Sequence, residues 1–96
     1  VSEYFCYIIE CADGTLYTGI TSDPERRLRE HELGRGARYT RSRRPLHLAY
    51  VEAQPDLKTA MQRERAIKSL SRGRKLALVA TQPVRKPAKR AKRGKR

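Results

Sequence analysis

The stretch from Tyr4 to Ile20 constrains this chain more than any other. Two runs of β-forming residues, YFCYIIEC and TLYTGI, flank the turn signal Ala12-Asp13-Gly14, which is the pattern of a β-hairpin. Loop length decides which residues share a face. A two-residue Asp13-Gly14 turn would set Tyr7 with Thr18 and Ile20. A three-residue loop instead groups Tyr7, Ile9 and Cys11 with Thr15, Tyr17 and Gly19. The second is expected, because Gly14 then falls where a type I turn plus bulge needs a left-handed residue. It leaves Cys6, Ile8, Leu16, Thr18 and Ile20 as a mostly apolar opposite face.

Cys6 and Cys11 lie five positions apart in one strand and so point to opposite faces. Reduced, buried thiols are expected rather than a disulfide. With His31 and His47 far apart and no further cysteine, a zinc cluster is not expected either.

After the hairpin, Asp23 as N-cap, Pro24 in the first turn and Glu25 near the positive helix end mark a helix that stops at Gly34. Arg27 and His31 share one of its faces at i and i+4. Residues 34–45, GRGARYTRSRRP, read as a loop with five arginines, and Leu46 to Val51 as a third strand. A second helix is predicted from Leu57 to Leu70, with Asp56 as N-cap, and a short last one from Arg74 to Val79. At about 100° per residue, Leu57, Ala60, Met61, Ile67 and Leu70 form an apolar arc in the Leu57 to Leu70 helix, with Glu64 inside it. A carboxylate there is anomalous, since burying it unpaired is costly. The order β-β-α-β-α-α is that of a small α+β domain.

Charge narrows the partners. The chain has 96 residues and a net charge of +13, room for one domain with a bias toward polyanions. Eight of the 23 basic residues lie in 83–96, PVRKPAKRAKRGKR, which contains no acid. That segment is too poor in apolar residues to offset the entropy of ordering. The expected division is therefore a folded domain over 1–80 and a disordered basic tail over 81–96 that holds nucleic acid without reading sequence. The longest unbroken apolar run, Leu76 to Ala80, falls far short of the roughly 20 residues that span a bilayer. A soluble, cytoplasmic protein with no membrane partner is expected.

Hydrolysis of a phosphodiester needs a nucleophile that loses a proton, a cation for the pentacovalent phosphate and help for the leaving oxygen. Tyr7 can take the proton if a neighbouring charge lowers its pKa, Arg27 can grip the phosphate as a fork, and Glu64 can anchor a hard cation such as Mg²⁺. Taken singly, each residue has an ordinary structural use. Tyr7 and Tyr17 can be a cross-strand aromatic pair, Arg27 a solvated helix arginine, His31 a surface histidine, and Glu64 an ion-pair partner of Arg27.

Taken in order, Phe5-Cys6-Tyr7, Tyr17-Thr18-Gly19, Arg27 within PERRLREH and Glu64 within QRERAIK resemble the GIY-YIG nuclease superfamily. The segments GARYT, LAYVE and RERAIKSLSRGRKLALV are most similar to a small single-domain bacterial branch of it. The resemblance covers about residues 3–80 and implies a three-stranded antiparallel sheet flanked by helices, dependence on Mg²⁺ or Mn²⁺, and endonucleolytic cleavage of DNA. It also implies roles. Tyr7 would be the general base or a water-positioning group, Tyr17 a supporting phenol, Arg27 the phosphate-binding cation, His31 an auxiliary basic residue, Glu64 the metal ligand and Gly19 the structural glycine. Arg35, Arg38, Arg41, Arg43, Arg44 and Lys68 would contact the nucleic-acid backbone. Many members carry an Asn after the metal-binding Glu; this sequence has no Asn, so either Lys68 or Ser69 would substitute for it or turnover would be weak. The alternative is a catalytically inactive DNA- or RNA-binding module on the same fold.

Overall fold

The two strands of the hairpin, β1 (Tyr4–Glu10) and β2 (Leu16–Thr21), pair antiparallel with Tyr7 opposite Gly19 and Ile9 opposite Tyr17. This is the register of the three-residue loop. Gly14 takes the left-handed conformation (φ 85°), while the Asp13 carboxylate accepts from the Thr15 amide at 3.1 Å and from its hydroxyl at 2.6 Å. A computed structural model describes residues 3–82 of the chain. The remaining elements are α1 (Pro24–Glu32), α2 (Arg38–Arg41), β3 (His47–Gln54), α3 (Leu57–Lys68) and α4 (Arg72–Ala80). The sheet has three antiparallel strands in the order β2-β1-β3.

Each face of the sheet carries its own core. Cys6, Ile8, Tyr50, Ala60 and Ile67 form one, flanked by Leu16, Ile20, Leu78 and Val79, so α3 and α4 cover that side. Tyr7, Ile9, Cys11, Leu46 and Leu48 form the other, with Tyr17, Leu28 and Val51 packed on them beneath α1. The two cysteines are free thiols in different cores, as strand alternation requires, and burial pushes the Cys6 thiol up to about 11.

Helix starts follow the caps foreseen: the side chains of Asp23 and Asp56 accept from the amides of Arg26 and Thr59. Four expectations are corrected. The basic loop is not wholly irregular, because 38–41 wind into the single helical turn of α2. The third strand extends to Gln54, and the reason its alternation is weak is a bulge: Ile8 pairs with Tyr50 and Ile9 with Leu48, leaving Ala49 as the extra residue. α3 ends at Lys68, and α4 begins at Arg72 because the Ser71 hydroxyl caps it by accepting from the Arg74 amide. Finally, Leu57 and Met61 are exposed (43% and 41%). The small Ala60 brings α3 close to the sheet, with Cys6 Sγ 3.3 Å from the Ala60 carbonyl. That contact is narrow and takes only Ala60 and Ile67 fully inside.

A polar clamp sets the rotation of α3. Arg63 grips Glu52 of β3 through two bonds, Nε at 2.7 Å and Nη2 at 3.1 Å, while the Tyr50 hydroxyl and the Gln54 amide also donate to Glu52. The start of the expected 81–96 tail belongs to the folded part. The Gln82 side chain accepts from the Val51 amide at 3.1 Å and donates to its carbonyl at 2.7 Å, occupying the open edge of β3. The rest of that tail lies outside the described residues.

Candidate active site

The site is built on the face of the hairpin that carries Tyr7 and Tyr17. Tyr7 is central in β1 and 2% exposed, and its phenol reaches across the sheet over Gly19. A Cβ at position 19 would lie 2.5 Å from the Tyr7 hydroxyl, so glycine is what permits the crossing. Tyr17, two residues earlier on β2, shares the face and is half-buried.

α1 delivers Arg27 and His31 to the same place. His31 is fully buried, which corrects the view of it as a surface residue. Its Nε2 is 3.0 Å from the Tyr7 hydroxyl and its Nδ1 is 2.7 Å from the Thr40 hydroxyl of α2. The ring meets Tyr17 and Tyr7 edge-on, with centroids 5.4 Å and 6.1 Å away. Burial, and next the Arg27 charge, pull the imidazole down to about 4, so it is neutral at neutral pH. Burial pushes the Tyr7 phenol up to about 12, a rise opposed by the nearby Arg27 guanidinium. Arg27 is held by Glu30 at 2.7 Å, which keeps the guanidinium firmly charged and the Glu30 carboxyl below its ordinary range.

The His31 shift has a thermodynamic consequence. Its folded value lies below the ordinary 6.5, so its stabilising contribution is complete above about pH 6.5. As pH falls from there toward 4, the unfolded chain takes up a proton that the folded chain refuses, and up to about 3 kcal/mol is lost. Urea unfolding at about pH 7.5 and about pH 4.5 should register this drop, which should largely vanish in His31→Gln. An identical pH dependence in both proteins would contradict the assignment.

Glu64 comes from the other side of the sheet. It lies on α3 between the buried Ala60 and Ile67, with its side chain 21% exposed, and its negative charge contributes to raising the Tyr7 pKa. Lys68 sits one turn on, with Nζ 3.3 Å from a Glu64 oxygen. Arg27 and Glu64 therefore do not form the structural pair considered above: each has a partner of its own. Ser69 is the C-cap of α3, and its hydroxyl donates to the Ala66 carbonyl at 2.8 Å.

The basic residues divide by use. Arg35, Arg38 and Arg41 are exposed on the surface around α2. Arg43 and Arg44 instead hold the loop in shape. Arg43 lies 3.9 Å over the Tyr39 ring and bonds Asp13 at 3.0 Å and the Tyr39 carbonyl at 2.8 Å. Arg44 donates to the carbonyls of Arg41 and Glu32. Three residues that pattern reading passed over complete the site: Thr40, Tyr39, whose ring stacks on Tyr17 at 5.9 Å, and Gly36. A side chain at Gly36 would collide with the His31 ring. Their only sequence signal is a glycine, an aromatic and a threonine within an otherwise arginine-rich loop.

Comparison with known proteins gives the following. The family model for the GIY-YIG catalytic domain matches residues 3–77. A UPF0213 protein of Natronomonas pharaonis is 51% identical over 79 residues, covering 82% of this chain and 93% of its own. One from Desulfotalea psychrophila is 57% identical over 77 residues, covering 79% and 70% respectively. The solution NMR structure of a UPF0213 protein from Bacillus halodurans is similar with a TM-score of 0.56 at 42% identity, over 86% of this chain and 88% of that one. That of an E. faecalis protein gives 0.58 at 36% identity, over 84% and 86%.

Proposed function

Since the chain belongs to the GIY-YIG family, we propose that it is an endonuclease that hydrolyses phosphodiester bonds in nucleic acid, DNA foremost, with a divalent cation. The observation that carries this reading is the bond between the Tyr7 phenol and the buried His31 on the sheet face beneath α1, the helix that also carries Arg27. Separately, none of these residues implies chemistry. Together with Glu64 on α3 they supply a proton acceptor, an anion grip and a hard oxygen ligand.

The donor set fits Mg²⁺ or Mn²⁺. Glu64 offers one partly exposed carboxylate, and among the described residues no group of three or more His, Cys, Asp or Glu could form an all-protein cage. Such a site suits a cation that keeps most of its water. When bound, the cation supplies positive charge for the leaving oxygen and acidity for a water molecule. Lys68 is mostly exposed and can swing away from Glu64 to a phosphate.

The protein's own residues do the rest. Arg27, pinned by Glu30, presents its fork to the phosphate. Tyr7 is held in place by His31 and lies near the Arg27 charge, which favours the phenolate and so the use of this oxygen as a proton acceptor. Because its resting pKa is high, the phenol is protonated in the free protein and depends on added positive charge to act as a base. Arg35, Arg38 and Arg41 hold the flanking phosphates.

The test is incubation of the full chain with Mg²⁺ and a panel of single-stranded, duplex and branched DNA and RNA. Cleavage of at least one substrate is expected, slowed at least about 100-fold in Tyr7→Phe with little change in affinity. Binding without cleavage of any member would favour the inactive binding module.

A further inference from the structure

We infer that Thr18 is a positioning residue of the proposed cation site: its buried, unpaired hydroxyl is the donor that fixes the Glu64 carboxylate when that carboxylate holds a divalent cation. The inference rests on the reading of Glu64 as the cation's ligand and adds a residue to it.

Thr18 lies in the middle of β2, directly opposite Ile8 of β1 and between Leu16 and Ile20 on its own face. Ile8, Leu16 and Ile20 belong to the core that α3 covers, so strand alternation turns the Thr18 side chain toward α3 as well. The residue is 4% exposed, and its Oγ1 has no hydrogen-bond partner among the described residues. A hydroxyl so placed is destabilising, because water is excluded and no protein group replaces it. A valine of nearly the same shape would fill the space without that penalty. Packing therefore accounts for the methyl group of Thr18 and leaves the hydroxyl without a use.

An acceptor is turned toward it from the facing helix. α3 packs on both β1 and β2, and its buried residues Ala60 and Ile67 mark the line of contact. Arg63 and Glu64 leave that line about 50° to either side at about 100° per residue. Arg63 goes to β3, where it grips Glu52. Glu64 is thereby directed to the opposite side, over β2. Its charge is felt at Cys6 and Tyr7, whose partners on β2 are Ile20 and Gly19, the two residues that follow Thr18. One of its oxygens, Oε2, is 3.3 Å from Lys68 Nζ. The other has no hydrogen bond or ion pair among the described residues.

An orphaned donor on the strand and an unused acceptor oxygen on the helix thus share one layer of the molecule. A carboxylate that holds a cation through one oxygen keeps its direction when a hydrogen bond fixes the other. In the proposed site Lys68 gives up Oε2 to the cation and Oε1 accepts from Thr18. The strand then serves both halves of the site: Gly19 gives passage to the Tyr7 phenol on one face, and Thr18 holds the cation's ligand on the other.

Mn²⁺ titrated into the ¹⁵N-labelled full chain without nucleic acid broadens the amide signals nearest its site, and so reports position and affinity apart from cleavage. Broadening centred on Glu64 is expected in the wild type, and most of it should be lost in Glu64→Gln. Thr18→Val should need about tenfold more Mn²⁺ for the same effect, while Thr18→Ser should stay within about twofold of wild type. Urea unfolding in metal-free buffer is the second readout. Thr18→Val should raise the midpoint or leave it unchanged, because the free protein loses no bond. Wild-type Mn²⁺ affinity in Thr18→Val overturns the inference and leaves Glu64 its role, as does a Thr18→Ser as weak as Thr18→Val. A Thr18→Val protein that unfolds more easily or fails to fold overturns it too, by showing that the hydroxyl serves the fold. Broadening that is absent from the wild type or persists in Glu64→Gln refutes the cation site itself, and the inference with it.

Discussion

Gly19→Ala is expected to cost about 3 kcal/mol of stability and at least about 100-fold in cleavage rate, although it adds a single methyl group. The methyl would lie 2.5 Å from the Tyr7 hydroxyl and 2.7 Å from the ring carbon that bears it. Tyr7 has nowhere to retreat, being 2% exposed and tied to a His31 ring that is itself fully buried. Either the phenol is pushed off the strand, which breaks its bond to His31, or β2 moves away from β1; each displaces the candidate base. Urea unfolding of Gly19→Ala in the wild-type and Tyr7→Phe backgrounds isolates the cause. The destabilisation should be smaller where the phenolic oxygen, the nearest atom, is absent. Equal losses in the two backgrounds would show that the strain lies elsewhere.

Glu64→Gln should produce the opposite division of effects. Cleavage is expected to fall about 100- to 1,000-fold, because the variant keeps shape and loses the charge that would hold the proposed hard cation. Stability should change by less than about 1 kcal/mol: the ion pair lost is with Lys68, a largely exposed side chain one turn away, and such pairs contribute little. Affinity for nucleic acid should be nearly retained, since in the proposed function the arginines around α2 supply it. Chemical denaturation, a binding titration at fixed salt and a single-turnover cleavage assay measure the three quantities separately. An undiminished cleavage rate would remove Glu64 from the site.

The two glycines of the site differ in how visible they are. Gly19 stands directly opposite Tyr7 once the loop length is known, so its role follows from strand geometry. Gly36 stands in an arginine-rich loop, and nothing adjacent to it says that the His31 ring will lie against it. The arginines carry the same lesson. Arg41 and Arg44 look alike in the string GARYTRSRRP and both are exposed, yet Arg44 donates to two backbone carbonyls that the fold brings to it. A long flexible cation can serve either purpose, and only its surroundings choose.

What the sequence by itself determined is what acts over a few residues. The Ala12-Asp13-Gly14 loop sets the hairpin register because a left-handed glycine and an Asp carboxylate close it locally, and the register alone places Tyr7 and Tyr17 on one face. Asp23 and Asp56 start their helices by capping amides three residues on. The misplaced carboxylate of Glu64 was legible because helical period needs no tertiary contact to compute. Tertiary structure decided the rest. The bulge at Ala49, the Arg63–Glu52 clamp that turns α3, the burial that makes His31 neutral and the hydroxyl of Thr40 behind it all join residues far apart in sequence or far apart in chemistry. The physical reason is that proton positions and pKa values depend on which groups exclude water from one another, and that is settled only when the elements pack.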